Sequence, residues 1–292
     1  MNLEQFYNKN YKLLMIIPVV IFILSLMVIS SQYSQTGDIL KKDVSLAGGI
    51  SATVYTDKVI DLSLLEEAIN AKSPKSDIFV RQLSEFGSSK PLGILIEASE
   101  IEEGLLKSIL ESKIGIKLTD ENYSVEQAGG SLGESFYRQM IIAITLAFVF
   151  MGIVVLITFR TFIPSIAVVL SALFDIVITI GILDLLGIRI GTAGIAALLL
   201  LIGYSVDTDM LLTTKVLKRT EGSVVSRMID SAKTGLTMTI TTIAAVTIGY
   251  FVSSAFVLKE MFLIIFIGLL VDSCSTYLMN TGLLRWYMKN EN

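Results

Sequence analysis

Histidine is absent from all 292 residues. That removes the commonest metal ligand and the side chain that most readily titrates near neutral pH, so any proton chemistry falls to carboxylates. A nucleophile-based enzyme would be left with a Ser-Lys or paired-Asp device, and the chain carries no YD and GxGD arrangement of the kind intramembrane aspartic proteases resemble, so no enzyme is expected. Cysteine is nearly absent too: Cys274 is alone, in an apolar run, which excludes an internal disulfide and leaves a small packing residue. Charge is scarce at 17%, where an ordinary soluble domain carries about 25%. With 53% hydrophobic residues and a mean hydropathy of +0.70, the composition is that of an integral membrane protein. The net charge of −4 is small and points to no nucleic-acid partner.

What is present is six long apolar runs with few charges, at 13–31, 139–159, 162–186, 190–212, 236–258 and 261–284. The first follows Lys9 and Lys12 but ends in Ser30-Ser31-Gln32-Tyr33, which is no small-x-small cleavage site, so it reads as an uncleaved anchor. Lysine and arginine in short loops set the orientation. With the N-terminus inside, the cytoplasmic segments hold ten: Lys9, Lys12, Arg160, Lys215, Lys218, Arg219, Arg227, Lys233, Arg285 and Lys289. The opposite short loops hold only Arg189 and Lys259. Both ends (1–12 and 287–292) are therefore expected in the cytoplasm, with a membrane anchor at 13–33 and five more helices across 139–286 of a multi-pass protein of the cell membrane.

The polar insertion at 34–138 falls outside in this topology and reads as a folded α+β domain. Strand-like alternation occurs at 50–56, 77–84, 92–98 and 123–127, and helical spacing at 62–71 and 101–113. Asp61 or Ser63 is expected to cap the first helix, Ser99 or Glu100 the second, and Gly87-Ser88-Ser89-Lys90-Pro91 to separate the middle strands. The order β-α-β-β-α-β matches a ferredoxin-like, split βαβ sheet. Gly48-Gly49 and Gly129-Gly130 flank it and read as turns needing positive φ. Neither pair lies in a GxxxxGK[ST] or GxGxxG pattern, so no nucleotide, other cofactor or metal site is expected.

Four aspartates, Asp175, Asp207, Asp209 and Asp272, sit inside the apolar runs. Each costs about 2.5–3.5 kcal/mol at mid-membrane depth and by default marks an ion path, a proton relay or a polar helix contact. Asp175 lies near the middle of its span, and Asp207 and Asp209 point about 200° apart on one helix. One of that pair is expected to face the bundle interior or a partner and the other a wet cleft, or Asp209 is simply solvated near the helix end. Thr237, Thr239 and Thr241 open the fifth span with hydroxyls that suit helix contacts or buried carboxylates, and Asp272 fits a structural contact.

Gly203-Tyr204-Ser205-Val206-Asp207-Thr208-Asp209, Leu173-Phe174-Asp175-Ile176-Val177-Ile178-Thr179, Ser131-Leu132-Gly133-Glu134 and Leu46-Ala47-Gly48-Gly49 resemble the SecD/SecF family of protein-export membrane proteins, in its archaeal SecF form, within the resistance-nodulation-division (RND) superfamily. The resemblance covers nearly the whole chain. It implies half of a twelve-helix RND-type bundle that pairs with a SecD-like subunit beside a SecY-type channel and assists unfolded polypeptides across the bilayer. In related RND proteins, carboxylates of the fourth helix couple proton flow to movement of the outer domain. The resemblance thus makes Asp207, assisted by Asp209 and Asp175, the expected proton-coupling group, with Lys233 as charge partner. Bacterial SecF reads Gly-Tyr-Ser-Val-Asn-Asp here, so its aspartate falls on Thr208 and its asparagine on Asp207, which instead matches the SecD form of the motif. Two other readings stay open: an assembly subunit without proton coupling, and an RND-type small-molecule efflux half-transporter.

Overall fold

A computed structural model describes residues 3–74, 76–84, 90–99, 101–219, 221–253 and 255–291. They form two compact units, one from Met1–Lys41 with Ile141–Asn292 and the other from Lys42–Met140. The long helix α1 (Leu3–Thr36) opens the first unit. The second then runs α2 (Val44–Ala47), β1 (Gly49–Tyr55), α3 (Leu62–Lys72), β2 (Ile78–Ser84), β3 (Pro91–Ala98), α4 (Glu103–Ile114) and β4 (Tyr123–Ala128).

Its sheet has the order β2-β3-β1-β4, with every neighbouring pair antiparallel. Each helix therefore connects two strands that are separated by one strand of the other βαβ unit, the split arrangement expected from the element order. Alternation along β1 and β3 sends Ile50, Ala52, Val54, Ile94, Ile96 and Ala98 to one face, where Leu65 and Ile69 of α3 and Leu106 and Leu110 of α4 close the core. Asp61 caps α3 as expected, accepting the N–H groups of Ser63 and Leu64 at 3.0 and 3.2 Å.

Helix α4 departs from expectation. It begins at Glu103, with Glu102 at the N-cap making no side-chain cap bond. Ser99 accepts the backbone N–H of Asp77 at 2.8 Å instead, tying the end of β3 to the start of β2. Ile101 is non-helical, and its buried side chain joins the core before the helix starts. Glu100 and positions 85–89, which cover most of the expected middle turn, lie outside the described residues.

Of the two glycine pairs, Gly48 and Gly49 do take positive φ, +83° and +129°, whereas Gly129 and Gly130 do not. The second pair serves close approach: a Cβ built on Gly48 would overlap the backbone of Gly130. Substituting Gly48 by alanine combines a left-handed backbone, costing about 1–2 kcal/mol, with a backbone overlap that has no flexible side chain to yield. We expect Gly48→Ala to destabilise this unit by more than about 2 kcal/mol, read as earlier thermal unfolding and faster proteolysis of the purified protein within 42–140.

The first unit continues with α5 (Gly130–Phe159), through which the division between units passes, then α6 (Phe162–Leu185), α7 (Thr192–Lys218), α8 (Val224–Val252), α9 (Phe256–Cys274), a π-helical turn (Ser275–Asn280) and α10 (Thr281–Glu291). Six of the resulting rods are long and apolar enough to cross a membrane: Lys9–Thr36, Leu132–Phe159, Phe162–Leu185, Thr192–Lys218, Val224–Val252 and Val257–Lys289. Burial ranks them. About half or more of the apolar stretch of α6 and α7 is buried within the protein, against 6% for α5, so α6 and α7 form the centre of the bundle. Small residues allow the close crossings, with Gly181 of α6 against Ser25 of α1 and Gly268 of α9 against Leu201 of α7.

The turn between α6 and α7 is tied down at several points. Lys41, the last residue of this unit's first segment, gives its N–H to Asp184 Oδ1 (3.4 Å) and its ammonium to the Asp184 carbonyl (3.2 Å), and takes the N–H of Ile190 at 2.7 Å. Glu260 of α9 accepts the N–H of Gly191, the N-cap of α7, at 2.9 Å. The start of α7 is thereby fixed to the segment that leads into the α/β unit.

Candidate functional site

Polar side chains in the centre of the helical unit gather into one buried cluster. Helix α6 supplies Ser171, Asp175 and Thr179 at successive i, i+4 positions, and α7 supplies Ser205, Thr208 and Asp209 at i, i+3 and i+4. Helix α9 supplies Asp272, and the π turn supplies Ser275, Thr276 and Asn280. None of these ten residues is more than 1% exposed.

Hydroxyls satisfy the carboxylates. Ser205 donates to Asp175 Oδ2 at 2.5 Å, and Ser275 donates to its Oδ1. Thr208 donates to Asp272 Oδ1 and Oδ2 at 3.1 and 3.3 Å. Thr276 lies 2.9 Å from Asp209 Oδ1 and 3.3 Å from Asp272 Oδ1, and the Asn280 amide donates to Asp209 Oδ1 at 2.7 Å. Four residues apart and so on one helix face, Thr276 and Asn280 reach the same carboxylate oxygen, and within the π turn Thr281 donates its hydroxyl to the carbonyl of Thr276 at 2.9 Å.

The electrostatics follow from the geometry. One hydroxyl between Asp209 and Asp272 holds two of their oxygens within about 6 Å, where full negative charges repel by about 3 kcal/mol at an effective dielectric near 20. A proton on either carboxyl relieves this. Asp209 has room to take one: its Oδ2, the Ser171 hydroxyl and the Asn280 amide oxygen are buried with no hydrogen-bond partner among the described residues. A proton on Oδ2 turns an unpaired acceptor into a donor. Among those residues no group of three His, Cys, Asp or Glu side chains is disposed to hold a metal ion.

Of the expected site residues, the structure brings Asp175, Asp209 and Asp272 together and leaves Asp207 apart. Asp207 is exposed on the outer face of α7, with Gly203 one turn before it. Asp209, which could have been solvated, is fully buried, and Asp272 belongs to the cluster as fully as the other two. Lys233 stands away from the carboxylates, three-quarters exposed and 3.7 Å from Asp230 on its own helix. On α8, Thr237 and Thr241 face outward and return their hydroxyls to the helix's own carbonyls, and only Thr239 turns inward, accepting the hydroxyl of Tyr204 at 3.2 Å. The hydroxyls that do satisfy the carboxylates come from α7 and the π turn. Ser171, Ser275, Thr276 and Asn280 had not been singled out, although Ser171 and Thr179 one turn either side of Asp175 were a visible polar stripe.

Residues 110–290 match the family described as protein export membrane protein SecD/SecF, C-terminal. The chain is 34% identical over 286 residues to the protein-export membrane protein SecF of Methanocaldococcus jannaschii, covering 96% of both chains. It is 35% identical over 288 residues to the SecF of Pyrococcus furiosus, covering 98% of this chain and 94% of that one. In fold it is similar to the crystal structure of SecDF, a translocon-associated membrane protein from Thermus thermophilus, with a TM-score of 0.73 at 18% identity. That likeness covers 99% of this chain and 40% of the other.

Proposed function

The chain belongs to the SecD/SecF family of protein-export membrane proteins, and from that membership we propose that it is an accessory subunit of the Sec translocation machinery, pairing with a SecD-like chain to assist polypeptides across the membrane. The observation that carries this is the extent of the likeness to the SecF of M. jannaschii, which runs over 96% of both chains and so includes the α/β unit as well as the helices. That the similar SecDF chain is about two and a half times as long supports a second, SecD-like half supplied by another polypeptide. The lysine and arginine distribution supports cytoplasmic termini and an extracytoplasmic α/β unit.

Proton coupling is the second part of the proposal. Asp209, with Asp175 and Asp272, takes up and releases protons inside the bundle, and the bonds from the α6–α7 turn to Lys41 carry the resulting shift toward the segment that leads into the α/β unit. What supports it is a carboxylate cluster buried in the protein interior with hydrogen-bonding capacity to spare. Asp207 takes a different role, facing the SecD-like chain. Its exposure on a membrane-crossing helix supports this, because a charged group left against lipid is costly.

Deleting the gene is expected to slow export of secreted proteins and leave sensitivity to small toxic compounds unchanged, and the tagged chain is expected to co-purify with a SecD-like protein. Normal export with heightened drug sensitivity would point to an efflux half-transporter instead.

A further inference from the structure

At the end of the bundle that carries both termini, α1 and α10 enclose a groove of about 460 Å3 that the transport reading does not use. Helix α1 lines it with Tyr11, Lys12, Met15, Ile16 and Val19, and α10 with Leu283 and Trp286. Its floor is fixed, because Gly282 packs so closely on Met15 that a Cβ there would overlap the methionine side chain. Lys12 is exposed, Trp286 is 45% exposed, and Ile16 is half exposed beside them. From Lys12 to Val19 the groove descends about 10 Å along the helix axis. It passes from a cationic, aromatic rim to a purely aliphatic wall.

That gradient matches one kind of occupant. Tryptophan, tyrosine and lysine together mark the depth of lipid headgroups, and the aliphatic stretch below them lies at the depth of acyl chains. Lys9 and Lys289 are exposed at the same end, so the rim is positively charged. A helix of a partner protein would need an acidic residue placed at the rim to use the cation, whereas an anionic phospholipid brings its phosphate to that depth in every copy. We propose that this groove binds an anionic phospholipid from the surrounding bilayer, with one acyl chain against Met15, Ile16 and Val19 and the phosphate on Lys12.

Trp286 is the chain's only tryptophan, so its fluorescence reports on the groove without a label. The full chain would be placed in phosphatidylcholine nanodiscs doped with lipid whose acyl chains are dibrominated, the headgroup being either phosphatidylglycerol or phosphatidylcholine. Brominated phosphatidylglycerol is expected to quench Trp286 at about a fivefold lower mole fraction than brominated phosphatidylcholine, and Lys12→Gln to remove that preference. Filling the groove with Ile16→Phe and Val19→Phe is expected to weaken quenching by both lipids. The proposal is overturned if both headgroups quench the parent protein equally, if Lys12→Gln leaves the preference intact, or if assembly with the SecD-like chain shields Trp286 from lipid.

Discussion

Replacing Asp209 with asparagine is expected to abolish the dependence of export on the proton gradient while leaving the protein folded. Asparagine keeps the shape, and its oxygen can still accept from Thr276 and Asn280 as Oδ1 does. Its amide group can occupy the place of Oδ2, which has no partner to lose. What it cannot do is bind and release a proton. One charge crossing the whole membrane field is worth about 2.3 kcal/mol per 100 mV, enough to bias two conformations by up to about fiftyfold. With Asp209→Asn that bias disappears, and export measured in cells or inverted vesicles should fall to the level seen with the gradient collapsed. The sign of a structural role is different. If Asp209 serves only as a helix contact, Asp209→Asn should leave the response to the gradient intact and change only the thermal stability. Asp175→Asn is a harder test of the same idea, since both oxygens of Asp175 accept hydroxyls and the amide must be matched by a reoriented serine.

Much of this arrangement was legible before the structure, and the parts that were not share a cause. The spans and the βαββαβ order follow from runs and periods that the two units display openly. Inside the membrane, periodicity loses its meaning, because a lipid-facing residue is as apolar as a core residue. The 200° separation of Asp207 and Asp209 was therefore readable, but not which of them turned inward. The signal lay in their neighbours. Three and four residues before Asp209 come Val206 and Ser205, and Thr208 and Thr213 fall on the same buried stripe. Around Asp207 the corresponding positions are Gly203, Tyr204, Met210 and Leu211. Polar residues that repeat at helical spacing point to a protein interior, where they find one another. The π turn was not legible in this way. Its extra residue per turn has no compositional mark, whereas Asp272, Thr276 and Asn280, four residues apart in turn, share one face of an ideal helix and formed a polar stripe open to reading.

Asp207→Leu should act in opposite directions on the chain alone and on its complex. In the isolated chain Asp207 projects from the outer face of α7, and removing its charge from lipid contact should ease insertion and raise stability by up to about 3 kcal/mol. A residue that imposes such a cost on its own subunit persists for a reason found elsewhere, and the SecD-like half is the natural place for a partner. Once that half covers α7, the carboxylate is enclosed by protein, and losing it leaves the facing polar or charged group unpaired. Breaking one side of a buried charged pair costs about 3–5 kcal/mol, which corresponds to a hundredfold or greater loss of association. Co-purification in mild detergent should therefore fail for Asp207→Leu while the variant chain by itself survives heating better than the parent. Asp207→Asn separates hydrogen bonding from charge: it should retain part of the association if the facing group donates a hydrogen bond, and lose most of it if that group is a cation. If Asp207→Leu assembles as well as the parent and exports at the same rate, α7 does not present Asp207 to the second half, and the interface must be sought on another helix, with α5, whose apolar stretch is only 6% buried, the first to examine.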